Sequence, residues 1–250
     1  MPNFLPNTAM IFAAGFGKRM LPITENIPKA LVQVKGKTLL DYSLDIFEKA
    51  SIKSVVVNTH YMAEKVIHHV ESRINKNLGI NVSRETPIIL ETGGGIVQAL
   101  PLIGNNPFYV KNADVIMLDK TGTSCVLELA KMWDSSKMDA LLSLVRIENA
   151  IGYEGKGDFN LQPSQIVNHK TNKEHEFVYA GLMIIKPDLF KDKKAEPFSI
   201  FKDFLFQDKK YYQTNGDMPR MYGLEFKGIW LHVGTPESIG VAEERIAGSS

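Results

Sequence analysis

The feature that most restricts this chain is an alternation running through roughly its first 145 residues, in which short apolar, often β-branched runs are each followed by a segment with helical spacing. Residues 8–14 form an apolar run that stops at Gly15, the pattern of a buried parallel strand with a glycine-rich exit. Residues 39–50 carry Leu40, Leu44, Phe47 and Ala50 on one side, with Asp41, Asp45, Glu48 and Lys49 largely off it, which predicts a helix with one buried face. Further strands are expected at 54–58, 80–84, 108–111 and 140–146, and further helices at 62–73, 95–100 and 124–133. Such alternation builds βαβ units and a mostly parallel sheet flanked by helices. Ligands of these sheets bind outside the carboxyl ends of the strands. Gly15, residues 92–95 and Asp114 fall at or just past such ends.

Beyond residue 145 the pattern becomes strand-rich. Strands are expected at 158–161, 165–168, 178–185, 211–214 and 221–226, and helices at 198–206 and 236–247. No internal repeat, low-complexity tract or linker divides the chain, so one domain over 1–250 is expected, with halves at 1–145 and 146–250. A composition of 44% hydrophobic and 23% charged residues is that of an ordinary globular domain. The net charge of +1 supplies no bulk field toward nucleic acid or membrane, and neither is expected as a partner. No apolar run approaches the ~20 residues needed to span a bilayer. Residues 1–7 lack the basic and apolar regions of a signal peptide. The single cysteine, Cys125, builds neither a disulfide framework nor a zinc site and is expected to pack as a small hydrophobe, which fits a cytoplasmic protein.

The exit of the first strand reads Ala13-Ala14-Gly15-Phe16-Gly17-Lys18-Arg19-Met20-Leu21-Pro22. Two glycines let the backbone approach a ligand closely, and successive N–H groups in such a turn cradle phosphate oxygens. Lys18 and Arg19 add positive charge where a polyphosphate would lie. The segment is not the dinucleotide fingerprint, since Met20 stands where the third glycine belongs. Nor do Gly36, Lys37 and Thr38 close a Walker loop, because Leu31 occupies the place of its first glycine. On the two glycines alone, an ordinary strand-to-loop turn remains open.

The continuation is more specific. Gly15, Gly17, Arg19, Leu21-Pro22, Thr24, Pro28-Lys29, Leu31 and Val34 together resemble the signature of the sugar nucleotidyltransferase superfamily. The resemblance runs from Met10 to about Ala247. It implies a Rossmann-like nucleotidyltransferase fold, with a mainly nucleotide-binding half over 1–145 and a smaller sugar-binding part over 146–250. It further implies an enzyme that joins a nucleoside triphosphate to a sugar 1-phosphate and releases pyrophosphate. Arg19 and Lys29 would contact the phosphates, and Ala13, Ala14, Gly15, Gly17 and Lys18 the nucleotide. Such chemistry depends on positioning and on charge neutralisation, with no covalent enzyme intermediate.

Leu90-Glu91-Thr92-Gly93-Gly94-Gly95 and Gly155-Lys156-Gly157-Asp158-Phe159 resemble one branch in particular, the N-acetylmuramate 1-phosphate uridylyltransferases and their close relatives. The resemblance implies that Gly93 and Gly94 form a turn against the nucleobase, with Glu85 near it, and that Asp158, Ala180 and Gly181 face the sugar. It points to UTP and N-acetylmuramate 1-phosphate as substrates, in peptidoglycan recycling; mannose or heptose phosphates with GTP remain alternatives. Asn112-Ala113-Asp114 matches a strand end whose aspartate holds Mg²⁺, with Ala113 in place of the usual glycine.

One position departs from the pattern. In Trp230-Leu231-His232-Val233-Gly234-Thr235-Pro236, His232 stands where the resemblance implies a second metal-binding aspartate. Neutral imidazole is a poor Mg²⁺ ligand and a better partner for transition metals. Three readings follow: Asp114 holds Mg²⁺ with phosphates and water, Mn²⁺ takes the place of Mg²⁺, or the chain is a catalytically silent nucleotide-sugar sensor. A packed histidine bonded to backbone is the structural alternative. The other five histidines, His60, His68, His69, His175 and one beside Asn168, show no ligand spacing.

Overall fold

The computed structural model describes residues 5–73, 77–120, 122–168, 174–207 and 220–248. The first half contains β1 (Thr8–Phe12), β2 (Gln33–Val34), β3 (Lys37–Thr38), α1 (Leu39–Lys49), β4 (Ser54–Thr59), α2 (Ala63–Glu71), β5 (Gly79–Arg84), α3 (Glu91–Ile103), β6 (Phe108–Asn112), β7 (Val115–Leu118), α4 (Cys125–Met132) and β8 (Ala140–Arg146). The second contains β9 (Ala150–Ile151), β10 (Asn160–Leu161), β11 (Val167–Asn168), β12 (Phe177–Ile185), β13 (Met221–Glu225), β14 (Ile229–His232) and α5 (Pro236–Ala247). The expected strand at 211–214 lies outside the described residues.

A central sheet runs in the order β13-β8-β12-β6-β1-β4-β5. β1 lies parallel to both β4 and β6, β5 parallel to β4, and β13 parallel to β8; only β12 runs against its neighbours. The sheet is thus mostly parallel, as the alternation predicts. Its inner strands are apolar on both faces because helices cover both. Ala9, Ile11, Val55 and Val57 pack with Leu40, Leu44, Phe47, Val126 and Leu129 on one side. Met10, Val56 and Val110 pack with Ile96, Ala99 and Ile103 on the other. Side chains alternate across a strand, so this division follows from the order of residues along β1 and β4.

Helix starts follow local chemistry. The Thr38 side chain accepts from the Asp41 N–H at the head of α1, and Ser124 does the same for Leu127 at the head of α4. Pro236 opens α5 after a reciprocal cap between Thr235 and Ser238.

The helix expected at 198–206 is present as a π-helical turn at Ile200–Leu205. One expectation shifts. The helix expected at 95–100, after a glycine turn, begins at Glu91, so Gly93, Gly94 and Gly95 lie inside α3 and are buried. Glycine costs a helix about 1 kcal/mol per residue relative to alanine, so something must offset it. The offset is close packing. A Cβ on Gly93 would sit 2.0 Å from the Phe198 ring, and one on Gly94 2.0 Å from the Glu196 carbonyl oxygen. The missing side chains let residues 196–198 lie directly on the helix.

Three strand ends meet at one place. Phe12, at the end of β1, pairs with Asn58 of β4 and with Asn112 of β6. A second sheet, β7-β14-β9, stands beside them, with His232 opposite Val115. The Val233 N–H donates to the Asp114 carbonyl at 2.9 Å. This pairing carries the last motif of the chain to the end of β6.

Candidate active site

The glycine loop folds back onto itself after β1. Gly17 takes a left-handed conformation (φ +66°), and a Cβ there would lie 2.9 Å from both Lys29 Cβ and Thr24 Cγ2. The Thr24 hydroxyl donates to the Gly17 carbonyl at 2.9 Å. Glycine is therefore required at 17 by conformation and by space. Gly15 differs, since a Cβ there would meet nothing within 4 Å. Among the described residues, the N–H groups of Gly15, Phe16 and Gly17 have no protein acceptor.

Lys29 opens a single 3₁₀ turn, Lys29–Leu31, directly after Pro28. Its ammonium lies 2.6 Å from Asp114 Oδ2, across 85 residues of sequence. Burial is the largest single influence and pushes the Asp114 carboxyl up, but the Lys29 ammonium and the His232 ring together outweigh it and hold the group below the usual carboxylate range. Asp114 is thus a fixed anion whose other oxygen is available to a cation.

Asp114 and Asn112 stand where two cavities meet. The first, of about 370 Å³, is walled by Ala13, Ala14, Gly15, Lys29, Asn58, Ile89, Glu91, Thr92 and Ser199. The second, of about 590 Å³, is walled by Arg19, Tyr153, Asp158, Tyr179, Trp230, His232 and the start of α5. Cavities of this size suit a nucleotide and a sugar ring, at the strand ends where parallel sheets bind ligands.

Several expected residues act one layer back. Glu85 is buried and does not face the first cavity. Its carboxylate accepts from Asn58 Nδ2 and from the Leu90 N–H, both at 2.7 Å. Asn58 Oδ1 in turn accepts from the Ala13 N–H at 2.8 Å. Glu85 therefore ties the exit of β1 to the start of α3. Burial raises its pKa, against the pull of the Leu90 and Asn58 donors.

Gly93 and Gly94 are also absent from the cavity wall. The Gly93 N–H donates to the Phe198 carbonyl at 2.8 Å, so it is engaged within the chain. Thr92 and Glu91 form that wall instead, and Glu91 does so with φ +56°. Lys18 lies outside both cavities, exposed, with its ammonium 5.5 Å from the Phe16 ring centroid. Ala180 is buried, and its carbonyl accepts from Trp230 Nε1 at 3.0 Å. Gly181 takes φ +72° at the irregularity in β12 and packs on Asn112. Asp158 does line the second cavity, and it accepts from the Tyr179 N–H at 2.8 Å.

His232 is placed with care. Its Nδ1 lies 3.1 Å from the Gly152 carbonyl oxygen and its ring stacks on Trp230. Its Nε2 faces Asp114 Oδ2 at 3.8 Å. Asp114, a hard oxygen donor at the junction of the cavities, fits a divalent ion carried by phosphates. His232 adds a nitrogen to that donor set.

Sequence reasoning missed Asn58, Tyr153 and Ser199. Of these, only Asn58 had a signal, as a polar residue closing the apolar run Val55-Val56-Val57.

The sequence and the fold have known counterparts. The chain belongs to the nucleotidyl transferase family, whose pattern matches residues 8–248. It is 39% identical to an N-acetylmuramate alpha-1-phosphate uridylyltransferase of Caulobacter vibrioides, over 97% of this chain and 98% of that protein. A second protein of that name, from Neisseria meningitidis, is 31% identical over 91% of this chain and 93% of its own. The fold matches a UDP-glucose pyrophosphorylase solved with UDP-glucose, with a TM-score of 0.77 at 19% identity, covering 98% of this chain and all of that one. Among the described residues no helix is long and apolar enough to cross a membrane.

Proposed function

We propose that this nucleotidyltransferase transfers the uridylyl group of UTP to N-acetylmuramate 1-phosphate. The observation that carries this reading is the pair of cavities meeting at Asn112 and Asp114, beside the Lys29 ammonium. The names of the two relatives supply the substrates.

The nucleotide occupies the first cavity, with its phosphates against the open N–H groups of Gly15, Phe16 and Gly17. The sugar occupies the second, where Asp158, held by the Tyr179 N–H, accepts from its hydroxyls. A sugar-phosphate oxygen attacks the α-phosphorus in line, that bond forms as the α–β bridge breaks, and pyrophosphate leaves with its electron pair. Lys29 and Arg19 neutralise charge that grows on the phosphates, and Lys29 is held in place by Asp114 before the reaction starts. Asp114 would hold a divalent ion, Mg²⁺ or Mn²⁺, which would supply further neutralisation of the phosphates. Glu85, through Asn58, keeps the backbone at Ala13 in place. In this reading residues 1–145 mainly serve the nucleotide and 146–250 the sugar within one domain, and the enzyme works in the cytoplasm on sugars recovered from peptidoglycan. The buried, unpaired Cys125 is compatible with that compartment.

The test is pyrophosphate release over a grid of UTP, GTP, CTP and dTTP against N-acetylmuramate, mannose and glucose 1-phosphates. The highest kcat/KM is expected for UTP with N-acetylmuramate 1-phosphate. Preference for GTP with mannose 1-phosphate would replace this reading by a guanylyltransferase. Binding of nucleotide with no release from any pair would make the protein a sensor.

A further inference from the structure

The imidazole of His232 is built into its place. A carbonyl oxygen can only accept, so the Gly152 contact at 3.1 Å fixes the proton on Nδ1. The ring is clamped on two more sides. Trp230 stacks against it, with centroids 6.2 Å apart and planes 23° from parallel. Gly234 leaves room for it, since a Cβ there would lie 2.5 Å from His232 Cε1 and 2.9 Å from Nε2. Gly152, at φ +79°, packs on the His232 carbonyl, where a Cβ would come within 2.5 Å.

The consequence lies at the other nitrogen. Nε2 faces the second cavity and stands 3.8 Å from Asp114 Oδ2, too far for a hydrogen bond. In the neutral ring, with Nδ1–H donating to backbone, Nε2 presents a lone pair, and a carbonyl bond of that kind is the usual support of a metal-ligating histidine. An imidazole nitrogen beside a carboxylate oxygen is a mixed donor set. Mg²⁺ favours oxygen alone, whereas first-row transition ions take nitrogen and oxygen together.

We propose that His232 Nε2 and Asp114 jointly ligate the divalent ion that accompanies the nucleotide, and that this site favours Mn²⁺-class ions over Mg²⁺. The inference rests on the nucleotidyltransferase reading of the two cavities, but it concerns the identity of the ion.

The experiment is pulsed electron paramagnetic resonance on the full chain with Mn²⁺ and UTP, at natural abundance and with ¹⁵N-histidine. Mn²⁺ bound as proposed shows an imidazole ¹⁴N modulation that ¹⁵N labelling replaces. His232→Asp retains Mn²⁺ and loses the modulation, and its ratio of Mn²⁺ to Mg²⁺ affinity falls at least tenfold. His232→Asn, whose amide can still donate to Gly152, also loses the modulation. Mn²⁺ held by the wild-type chain without nitrogen modulation would overturn the proposal and leave the transferase reading intact. No Mn²⁺ held with UTP would overturn both the proposal and the metal role of Asp114.

Discussion

Two glycine-rich regions flank the first cavity, and they use glycine for opposite purposes. At Gly15 the absent side chain leaves open space, and the N–H groups of Gly15, Phe16 and Gly17 have no protein acceptor among the described residues. At Gly93 and Gly94 the absent side chains are filled by the chain itself, by the Phe198 ring and the Glu196 carbonyl. A glycine run reports that something comes close to the backbone. It does not report whether that something is a ligand or another part of the fold. Gly17 combines both uses, since its φ and the space taken by Lys29 and Thr24 shape the loop that Gly15 opens.

The contrast can be broken by substitution. The largest effect belongs to the loop side, at Lys29. Lys29→Met should lower kcat by roughly 10²–10³, the range for removing one charged stabiliser of a transition state, with the fold kept by circular dichroism. A loss of only a few-fold would remove Lys29 from the chemistry. On the packed side, Gly94→Ala should cost about 3 kcal/mol, because the Cβ meets a backbone carbonyl that cannot rotate away. Urea unfolding measures it, and a change below about 0.5 kcal/mol, the surface range, would mean that residues 196–198 do not rest on α3.

Beneath the junction lies a third test. Lys111 is buried in β6, and its ammonium donates to the carbonyls of Asn112 and Val115, on either side of Asp114. Burial lowers its pKa to about 8, partly opposed by the Asp114 charge. The unfolded chain protonates this amine near its ordinary 10.5, so between about 8 and 10.5 the unfolded state binds more protons. The burial penalty is therefore fully present below about pH 8 and fades as pH rises to 10.5. Relative to Lys111→Met, the wild type should gain about 2–3 kcal/mol across that window, at about 1.4 kcal/mol per pKa unit. A pH-independent difference would contradict it. The smallest effect is expected at Gly15→Ala, with stability unchanged within about 0.5 kcal/mol and the KM for UTP raised several-fold. Unchanged KM would mean that the phosphates do not lie on this backbone.

Much of the fold was legible because parallel strands buried on both faces must be apolar runs, and α1 and α4 carry one-sided spacing with capping residues at their heads. The loop residues Gly15, Arg19 and Lys29 and the strand end at Asp114 were legible because local spacing carries their pattern. What escaped depended on contacts far apart in sequence. Nothing near Gly93 announces that Phe198 will cover it. Nothing near Glu85 announces that Asn58 and Leu90 will enclose its carboxylate. The strand Val115–Leu118 follows Asp114 at once and looks like a continuation of the turn, yet its pairing with β14 is what brings His232 to the site.

The central claim is that Asp114, held by Lys29 where the two cavities meet, organises the transfer. Its most direct test is single-turnover pyrophosphate release by Asp114→Asn, an isosteric change, with UTP, N-acetylmuramate 1-phosphate and a divalent ion at saturation. The account predicts a rate roughly 10³-fold or more below wild type, as for loss of a preorganised electrostatic group, with UTP still bound in the first cavity. A rate within a few-fold of wild type would contradict it.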